Sequence, residues 1–419
     1  MTHRQSGPVS TSDGRIRHRP GFLAAAGVFA IGMAGTTLPT PLYGLYREEL
    51  GFSELTVTLV FATYAVGVIL TLLLAGNHSD RAGRRPVLLC ALLFGAASAV
   101  CFLLEDGLPL LYAGRVFSGF SAGLLSGAGT VTVLELAGPG QRSRAGFAAT
   151  AANMGGLGCG PLLSGFLAEY APAPLTLPFL VHLGLLGVAG AVVLLLPETV
   201  PDPHPRARPV PQGLYVPPEV RAVFAPAAIA AFAGFSLLGL FTAVAPSFLA
   251  ETLGERNLAV CGLVVFAVFL ASTAGQALTG RIPAGTPGPA GAPVVGPALP
   301  LGCLVLVAGL LMVGASLWAR SLPLLVIGGM CGGLGQGLAF RAGLTAVGDA
   351  APAAHRAATV SSFFVVAYTG ISVPVIGVGA LAVTLGLVRA GLIFTGCVTL
   401  VAVATGVWLA HRGPGRAAS

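Results

Sequence analysis

A short charged segment between two apolar runs contains the residues best suited to ion-pair chemistry. Residues 76–86 hold one acid among three arginines: Asp80, Arg81, Arg84 and Arg85. Charge this dense is too costly to place in hydrocarbon, so we expect a tight loop at a membrane surface. Asp80 could pair with a nearby arginine or cap the positive N-terminus of a helix in the second half of the chain. Either contact predicts a gate, and the alternative is that the arginines only hold the loop at one membrane face.

Two further arginines fall inside apolar runs, where a charge needs compensation. Arg115 follows Pro109 by six residues, which places it about 9 Å into a helix at 1.5 Å per residue. An arginine at that depth costs roughly 2.5–3.5 kcal/mol unless it snorkels to the interface. The four-residue spacing of Arg115, Gly119 and Gly123 favours a close-packed face over a lipid face. We therefore expect Arg115 to recognise substrate charge or to couple protons, with Arg341 as the second candidate.

Other polar side chains in the apolar runs are candidates for the same substrate or proton pathway, because a primary amide in lipid needs partners. They are Asn153, Gln276, Gln336 and Tyr368. Charged residues near the predicted helix ends could extend the ion-pair network of the loop, and a solvated helix end is the alternative for each. These are Glu135, Arg142, Glu198, Asp349 and Arg356.

The sequence carries no set of residues that predicts catalysis. HExxH and the P-loop are absent, and no group of residues has the spacing of metal ligands. The seven cysteines all lie in apolar runs without CxxC spacing, which is typical of free thiols that pack as small hydrophobes. We therefore predict no catalytic residue, no cofactor and no metal.

Composition places these residues in a membrane-embedded chain. Hydrophobic residues make up 55% and charged residues 9% of the 419 positions, whereas soluble domains have about 45–50% and 25%. All 22 basic residues are arginine and are scattered through predicted loops, so the net charge of +7 does not indicate a nucleic-acid partner. Twelve runs are apolar over the length that a bilayer requires. They lie at about 21–45, 54–75, 87–104, 109–134, 145–168, 176–197, 221–250, 258–280, 296–317, 322–347, 358–382 and 388–411.

The distribution of arginine predicts how these spans are oriented. If the N-terminus is cytoplasmic, sixteen arginines lie in the inside segments and four in the outside loops. This excess follows the positive-inside rule, so we expect both termini in the cytoplasm and the chain in the inner (plasma) membrane. A proline-rich stretch after the sixth run is expected to join two halves. The predicted boundaries are a tail at 1–20, a six-helix half at 21–197, a linker at 198–220, a second six-helix half at 221–411 and a tail at 412–419.

The two halves are similar to each other. A shift of 214 residues aligns Glu135 with Asp349 and Gly165 with Gly379. In each half an acidic residue stands at the same position after the fourth predicted helix, which favours an origin of the two halves by duplication. Two parallel repeats of six helices predict a binding site at their interface, near the bilayer midplane.

With twelve spans and two related halves, the chain resembles the major facilitator superfamily over nearly its whole length, and in particular its drug/proton antiporters. Arg115 begins a segment like the family's R-x-x-x-G-x-x-x-G. The charged loop matches the signature G-x-L-A-D-R-x-G-R-[KR], with His78 in place of the usual leucine, at Gly76, Asp80, Arg81, Gly83, Arg84 and Arg85. A segment resembles the antiporter pattern G-x-x-x-G-P-x-x-G-G, with Ser164 in place of the first glycine of the last pair, at Gly156, Gly160, Pro161 and Gly165.

The resemblance implies an all-α membrane protein with twelve transmembrane helices in two pseudo-symmetric six-helix halves. It implies a secondary transporter that works by alternating access and exports a small amphipathic or drug-like compound in exchange for protons. The expected partners are a small-molecule substrate, the proton and the lipid bilayer, for a monomer that binds no nucleic acid. No acid lies in the middle of a predicted span, so Asp80, Glu135 and His182 stay open as proton carriers. The alternatives are a nutrient or metabolite importer, as symporter or uniporter, and a membrane sensor without transport.

Overall fold

The computed structural model describes residues 21–75, 78–104, 106–204, 211, 213–283 and 296–411 of the chain. Within these residues the backbone is helical apart from short connections, and no strand is present. We number the twelve long helices α1 to α12. Their bounds are α1 Gly21–Leu50, α2 Glu54–Ala75, α3 Arg84–Leu103, α4 Leu108–Glu135, α5 142–170, α6 Leu177–Leu195, α7 Pro218–Thr252, α8 Leu258–Thr279, α9 Ala298–Ala319, α10 Leu322–Ala350, α11 Arg356–Leu385 and α12 Leu387–His411.

Eleven of the described helices have the length and apolar composition needed to cross a membrane, namely all except α5. α5 is a continuous helical run in three stretches, Arg142–Thr150, Ala151–Gly155 and Gly156–Tyr170, of which the middle one is a π-helix. It packs between α1 and α8 within the same bundle. The predicted fold, an all-α membrane protein built from two six-helix halves, is therefore confirmed.

Helix boundaries differ from the prediction at the charged segment. α3 begins at Arg84, three residues before the predicted start at 87, so Arg84 and Arg85 belong to its first turn. The loop is correspondingly shorter and contains a one-turn helix, Ser79–Ala82. Gly76 and the predicted tails at 1–20 and 412–419 lie outside the described residues.

The two halves meet along two helix pairs that the internal repeat relates. Gly165 of α5 lies against the backbone carbonyl of Leu258 at the start of α8. Its counterpart 214 residues later, Gly379 of α11, lies against Thr58 near the start of α2. Neither position has space for a Cβ atom, so glycine is what allows each pair of helices to approach so closely. The equivalent contacts support the duplication predicted from sequence.

Successive helices run in opposite directions, so their connections alternate between the two ends of the bundle. We call the end where α2 meets α3 and α4 meets α5 the Arg84 face. We call the opposite end, where α1 meets α2 and α7 meets α8, the Arg47 face. The two faces carry different ion-pair networks, and the site lies between them.

Candidate functional site

A cavity of about 350 Å³ lies between the two halves. It is lined by α1, α2, α4 and α5 of the first half and by α7, α8, α10 and α11 of the second. On one side it reaches Leu134 in the last turn of α4, Gly146 near the start of α5 and Val360 near the start of α11. These helix ends belong to the Arg84 face, so the cavity opens toward that face. Its volume falls within the range of about 300–1,000 Å³ that is typical of small-molecule sites.

Aromatic rings from both halves line the cavity. Tyr64 of α2 faces Tyr368 of α11, with ring centroids 6.2 Å apart and ring planes at 67°. Tyr368 also contacts Phe235, at a centroid distance of 5.8 Å, and Phe364, at 6.5 Å. Aromatic rings pair favourably in edge-to-face and offset geometry, and they offer a large apolar surface. These walls therefore suit a flat apolar body.

Arg115 lies at the end of the cavity away from the Arg84 face. Only 1% of its surface is exposed, so its side chain does not snorkel to the outside of the bundle. Nη1 donates to the carbonyl oxygen of Thr36 at 2.5 Å, and Nη2 donates to that of Phe61 at 3.4 Å. The guanidinium also stands over the rings of Phe61 and Tyr64, 5.3 Å and 4.8 Å from their centroids. Its Nε is buried and has no partner among the described residues.

The cavity carries positive charge without a matching acid. The described residues that line it include two arginines, Arg115 and Arg341, and none of them is Asp or Glu. Arg341 is exposed and lies in the part of α10 that runs toward the Arg84 face. The cavity therefore presents a positive potential to any molecule that enters from that face.

Three of the four other polar residues predicted for the pathway line this cavity: Asn153, Gln276 and Tyr368. Gln336 does not, because its side chain turns toward α8. There its Oε1 accepts a hydrogen bond from Ser272 Oγ at 2.6 Å, while its Nε2 has no partner among the described residues. The structure thus brings five of the six predicted pathway residues together, counting the two arginines.

Residues 119–123 of α4 read Gly-Phe-Ser-Ala-Gly and so have the GxSxG spacing of a nucleophile elbow. That motif needs a sharp turn between a strand and a helix, which exposes the serine. Ser121 instead lies inside a helix, is 1% exposed and has no hydrogen-bond partner among the described residues. The small residues serve helix packing, since Gly119 and Gly123 lie against α2.

Arg84 is the centre of the ion-pair network at the Arg84 face. Its Nη1 lies 2.6 Å from an oxygen of Asp80, one turn earlier in the chain, and 2.6 Å from Ser79 Oγ. Nη2 and Nε bind the two oxygens of Glu135 at 2.9 Å and 3.1 Å, in the bidentate geometry that suits a guanidinium. Arg84 is buried, and it ties the loop to the end of α4.

Glu198, which follows α6, caps the N-terminus of α3. Its carboxylate accepts hydrogen bonds from the backbone N–H groups of Arg84 at 2.8 Å and Arg85 at 3.0 Å, and from those of Thr199 and Val200. Burial opposes the charged form, but these donors outweigh it and hold the pKa of Glu198 below its usual range. Gly83 makes this approach possible, because its φ is +100° and a Cβ atom there would lie 2.8 Å from Glu198 Oε2.

The other residues predicted for the charged network make no ion pair within the described part of the chain. Arg85 Nη2 donates to the carbonyl of Leu194 at 2.6 Å, and the carbonyl of Arg81 accepts from the N–H of His204 at 2.8 Å. Three others are exposed and form no ion pair within the described part of the chain: Arg142, Asp349 and Arg356. Asp80 pairs within its own half, so its predicted contact with the second half is not made in this conformation.

A network that sequence reasoning missed lies at the Arg47 face. Arg47 pairs with Glu54 of its own half and with Glu251 of the other half, the latter at 2.5 Å. Ser247 Oγ, also in the second half, donates to Glu54 Oε1 at 2.8 Å. Arg47 is one of the four arginines in the predicted outside loops, and nothing local in the sequence connects it to an acid 204 positions away.

A second polar link joins the halves at the same face. Glu169 at the end of α5 accepts a hydrogen bond from the backbone N–H of Leu258 at 2.8 Å, at the N-terminus of α8. The side chain of Asn257 caps the same helix by accepting from Val260 N, and its Nδ2 lies 3.4 Å from Tyr170 Oη. The cavity is therefore closed off at the Arg47 face by contacts between the two halves.

The antiporter-like motif of α5 lies between α1 and α8. Gly156 and Gly160 pack against the backbone of α1, and Gly165 packs against α8 in the other half. The carbonyl of Pro161 lies against Gly262 of α8. One helix thus makes close contacts within its own half and across the interface, which suits a sliding contact as well as static packing.

The profile of the Major Facilitator Superfamily matches residues 23–304. The chain belongs to this family. This member resembles Multidrug resistance protein 2 of Bacillus subtilis, with 27% identity over 140 residues, and Tetracycline resistance protein, class B, of Escherichia coli, with 31% identity over 145 residues. These matches cover 33% and 34% of the chain, and each spans only 35% of the relative.

Two solved transporter structures share the fold at low sequence identity. The human organic anion transporter MFSD10 (TETRAN) has a TM-score of 0.63 and 16% identity, with 94% of this chain and 99% of that chain covered. A POT family transporter in complex with 5-aminolevulinic acid has a TM-score of 0.72 and 12% identity, with 94% and 96% covered. The protein is therefore a multi-pass membrane protein with the major facilitator fold, and both of these solved structures are of transporters.

Proposed function

We propose that the protein exports a small amphipathic or drug-like compound by alternating access, in exchange for protons. The observation that carries this proposal is the aromatic cavity between the halves, which opens toward one face and is closed at the other. A site enclosed between two rocking halves can be exposed to each side of the membrane in turn. The names of the two bacterial relatives, a multidrug and a tetracycline resistance protein, agree with a drug-like cargo.

We place the Arg84 face in the cytoplasm and the protein in the plasma membrane. The sixteen-to-four distribution of loop and tail arginines supports this orientation through the positive-inside rule. The conformation is then inward-open, and a cytoplasmic compound can reach the cavity directly. Release on the other side requires the Arg47 face to open. The names of the two resistance proteins favour this outward direction over import.

The two faces would act as alternating gates. Opening the Arg47 face must break the contacts of Arg47 with Glu251 and of Glu169 with the N-terminus of α8. Closing the Arg84 face must create contacts between the halves there. We expect the exposed carboxylate of Asp80 to meet the N-terminus of α11, whose positive dipole end favours an anion.

The proton would act at the gates rather than in the cavity. None of the described lining residues is an acid, and His182 packs against Gly35 away from the cavity. Glu54 and Glu251, in contrast, hold Arg47 between the two halves. Protonation of either carboxylate from the outer side would remove its charge and weaken its contact with Arg47, which couples proton uptake to opening of the Arg47 face. Re-forming the ion pair would expel the proton, and exchange requires that it leave through the cavity toward the Arg84 face.

A susceptibility screen tests export. The protein is expressed in an efflux-deficient bacterial host and challenged with toxic anions, neutral compounds and cations, with the Asp80→Asn variant at equal membrane abundance as the control. We expect raised resistance and lower accumulation for a subset of compounds, and loss of both in the variant. Greater sensitivity would indicate import, and unchanged susceptibility to every compound would contradict the proposal.

A further inference from the structure

We propose that the cavity selects organic anions, and specifically aromatic carboxylates, with Arg115 as the counter-charge that receives the carboxylate. This inference rests on the proposed export function, because it names the class of cargo that the same cavity takes.

Arg115 is a buried cation whose charge is not neutralised. Its contacts are the carbonyl groups of Thr36 and Phe61 and the faces of two rings, all of which solvate a guanidinium but carry no net negative charge. No described lining residue is an acid. A charge removed from water normally requires an opposite charge nearby, so this cavity lacks the partner that an anionic ligand would supply.

The guanidinium of Arg115 also has hydrogen-bond donors that are not used by the described residues. Arginine carries five N–H bonds, and the described contacts of Arg115 are one from Nη1 and one from Nη2, with Nε buried and unpartnered. The planar fork of a guanidinium matches the two oxygens of a carboxylate. Arg341, exposed nearer the open side, adds a second positive charge along the route of entry.

The walls next to Arg115 fit the remainder of such a molecule. Tyr64 and Phe61 flank the guanidinium, and Tyr368 faces Tyr64 from the other half. An aryl ring held among these side chains would place its carboxylate toward Arg115. A volume of about 350 Å³ accommodates a bicyclic aromatic acid.

The internal repeat indicates that Arg115 is not needed for helix packing. The position 214 residues later is Gly329 of α10, where the ring of Phe241 fills the space next to the glycine. Helix α10 nevertheless packs on α8 through Gly333 and Gly337, as α4 packs on α2 through the corresponding glycines. In the second half the same helix packing forms with a phenylalanine ring in place of the arginine side chain. The charge of Arg115 is therefore not required for packing and is available for binding.

Binding to the purified protein tests the inference with three probes of one shape: 1-naphthoate, neutral 1-naphthamide and cationic 1-naphthylmethylammonium. We expect 1-naphthoate to bind at least about tenfold more tightly than the amide, as a charge-assisted hydrogen bond would give, and the ammonium probe to bind most weakly. Arg115→Gln should reduce naphthoate affinity most of the way to that of the amide, because Arg341 remains, and should leave amide affinity unchanged. Arg115→Lys should retain part of the preference, and Arg389→Gln, an exposed arginine of α12 away from the cavity, should retain all of it.

Each result has a definite meaning. The inference is overturned if the unaltered protein binds acid and amide equally, prefers the ammonium probe, or binds none of the three probes. If Arg115→Gln fails to fold, the order of the three affinities in the unaltered protein and the binding by Arg115→Lys decide the question. Retention of the full anion preference by a folded Arg115→Gln protein also overturns the inference. Export of neutral or cationic compounds without an anion preference would contradict the anion site but not the proposed export function. Anion-selective binding without transport of any compound would contradict the export function but not the anion site.

Discussion

Arg47 in α1 and Glu251 in α7 stand 204 positions apart in the chain and form an ion pair, with Nη2 2.5 Å from Oε1. Arg47 also pairs with Glu54 at the start of α2, and Glu54 in turn accepts a hydrogen bond from Ser247 of the second half. Arg47 therefore contacts both halves at the end of the bundle where the cavity is closed. In our account this contact is the outer lock of the transport cycle.

Removing the lock should open the Arg47 face. We expect Arg47→Ala to increase labelling of Thr242→Cys, a buried residue lining the cavity, by a membrane-impermeant maleimide added from outside. Each exposed or partly buried ion pair contributes about 0.2–1 kcal/mol, so a shift of roughly 1.5- to 5-fold per lost pair is expected. Arg256→Ala, which removes an exposed arginine in the connection between α7 and α8, should leave labelling unchanged. Equal labelling in both variants would show that Arg47 does not hold this face closed.

A side chain at the contact between α5 and α8 should block closure of the Arg47 face. Gly165 lies against the carbonyl of Leu258 with no space for a Cβ atom, so Gly165→Val must push the halves apart at this face. We expect lost transport and increased labelling of Thr242→Cys from outside. Gly187 of α6 has open space around it, and Gly187→Val is the matched control that should transport normally. Normal transport by Gly165→Val would mean that this contact is not part of the cycle.

Asp80 should matter for transport more than for folding. Its carboxylate is exposed and, among the residues that the structure describes, forms one ion pair, with Arg84. Asp80→Asn should therefore insert into the membrane at normal abundance. If Asp80 makes a charge-assisted contact only when the Arg84 face is closed, its loss costs about 1.5–3 kcal/mol in that state and lowers transport roughly 10- to 100-fold. The measurement is the initial rate of substrate transport per inserted protein. A rate near that of the unaltered protein would contradict the gate.

Glu198 should contribute stability that depends on pH. Its pKa is lowered in the folded protein by the backbone donors of α3 and its own turn, so its contribution is fully present above the unfolded pKa of about 4.3 and is lost as the pH falls through the folded pKa. Glu198→Gln should therefore lower the thermal unfolding midpoint at pH 7. The difference between the two proteins should shrink below about pH 4.3. A difference that stays constant down to the lowest tolerated pH would argue against the charged cap.

The fold could be predicted because hydrocarbon imposes a simple rule on composition and length, and the apolar runs coincide with the helices within a few residues. The predicted start of α3 is wrong because the helix is capped by Glu198. This residue is 114 positions from Arg84, so the sequence near α3 gives no sign of the cap. Arg115 could be predicted from the glycines that follow it at four-residue steps. The pairing of Arg47 with Glu251 could not, because charged residues at helix ends carry no signal of which distant end they will meet.

Gln336 illustrates a different limit. A buried amide in a span needs a partner, but the sequence does not say whether the partner is a ligand or a neighbouring helix. The close approach of α10 to α8 brings Ser272 within 2.6 Å of Gln336 Oε1, so this amide is directed into the helix interface. Tyr368 and Asn153 lie on helix surfaces that face the other half, and they line the cavity.

The most direct test of export in exchange for protons is proton movement in inverted membrane vesicles that contain the protein. The vesicle interior is first acidified, and its pH is followed with a fluorescent dye while a compound identified in the susceptibility screen is added. We expect the compound to accumulate inside as protons leave, so that the internal pH rises, and we expect neither change in vesicles with Asp80→Asn. Accumulation of the compound with no change in internal pH, or no accumulation at all, would contradict export in exchange for protons.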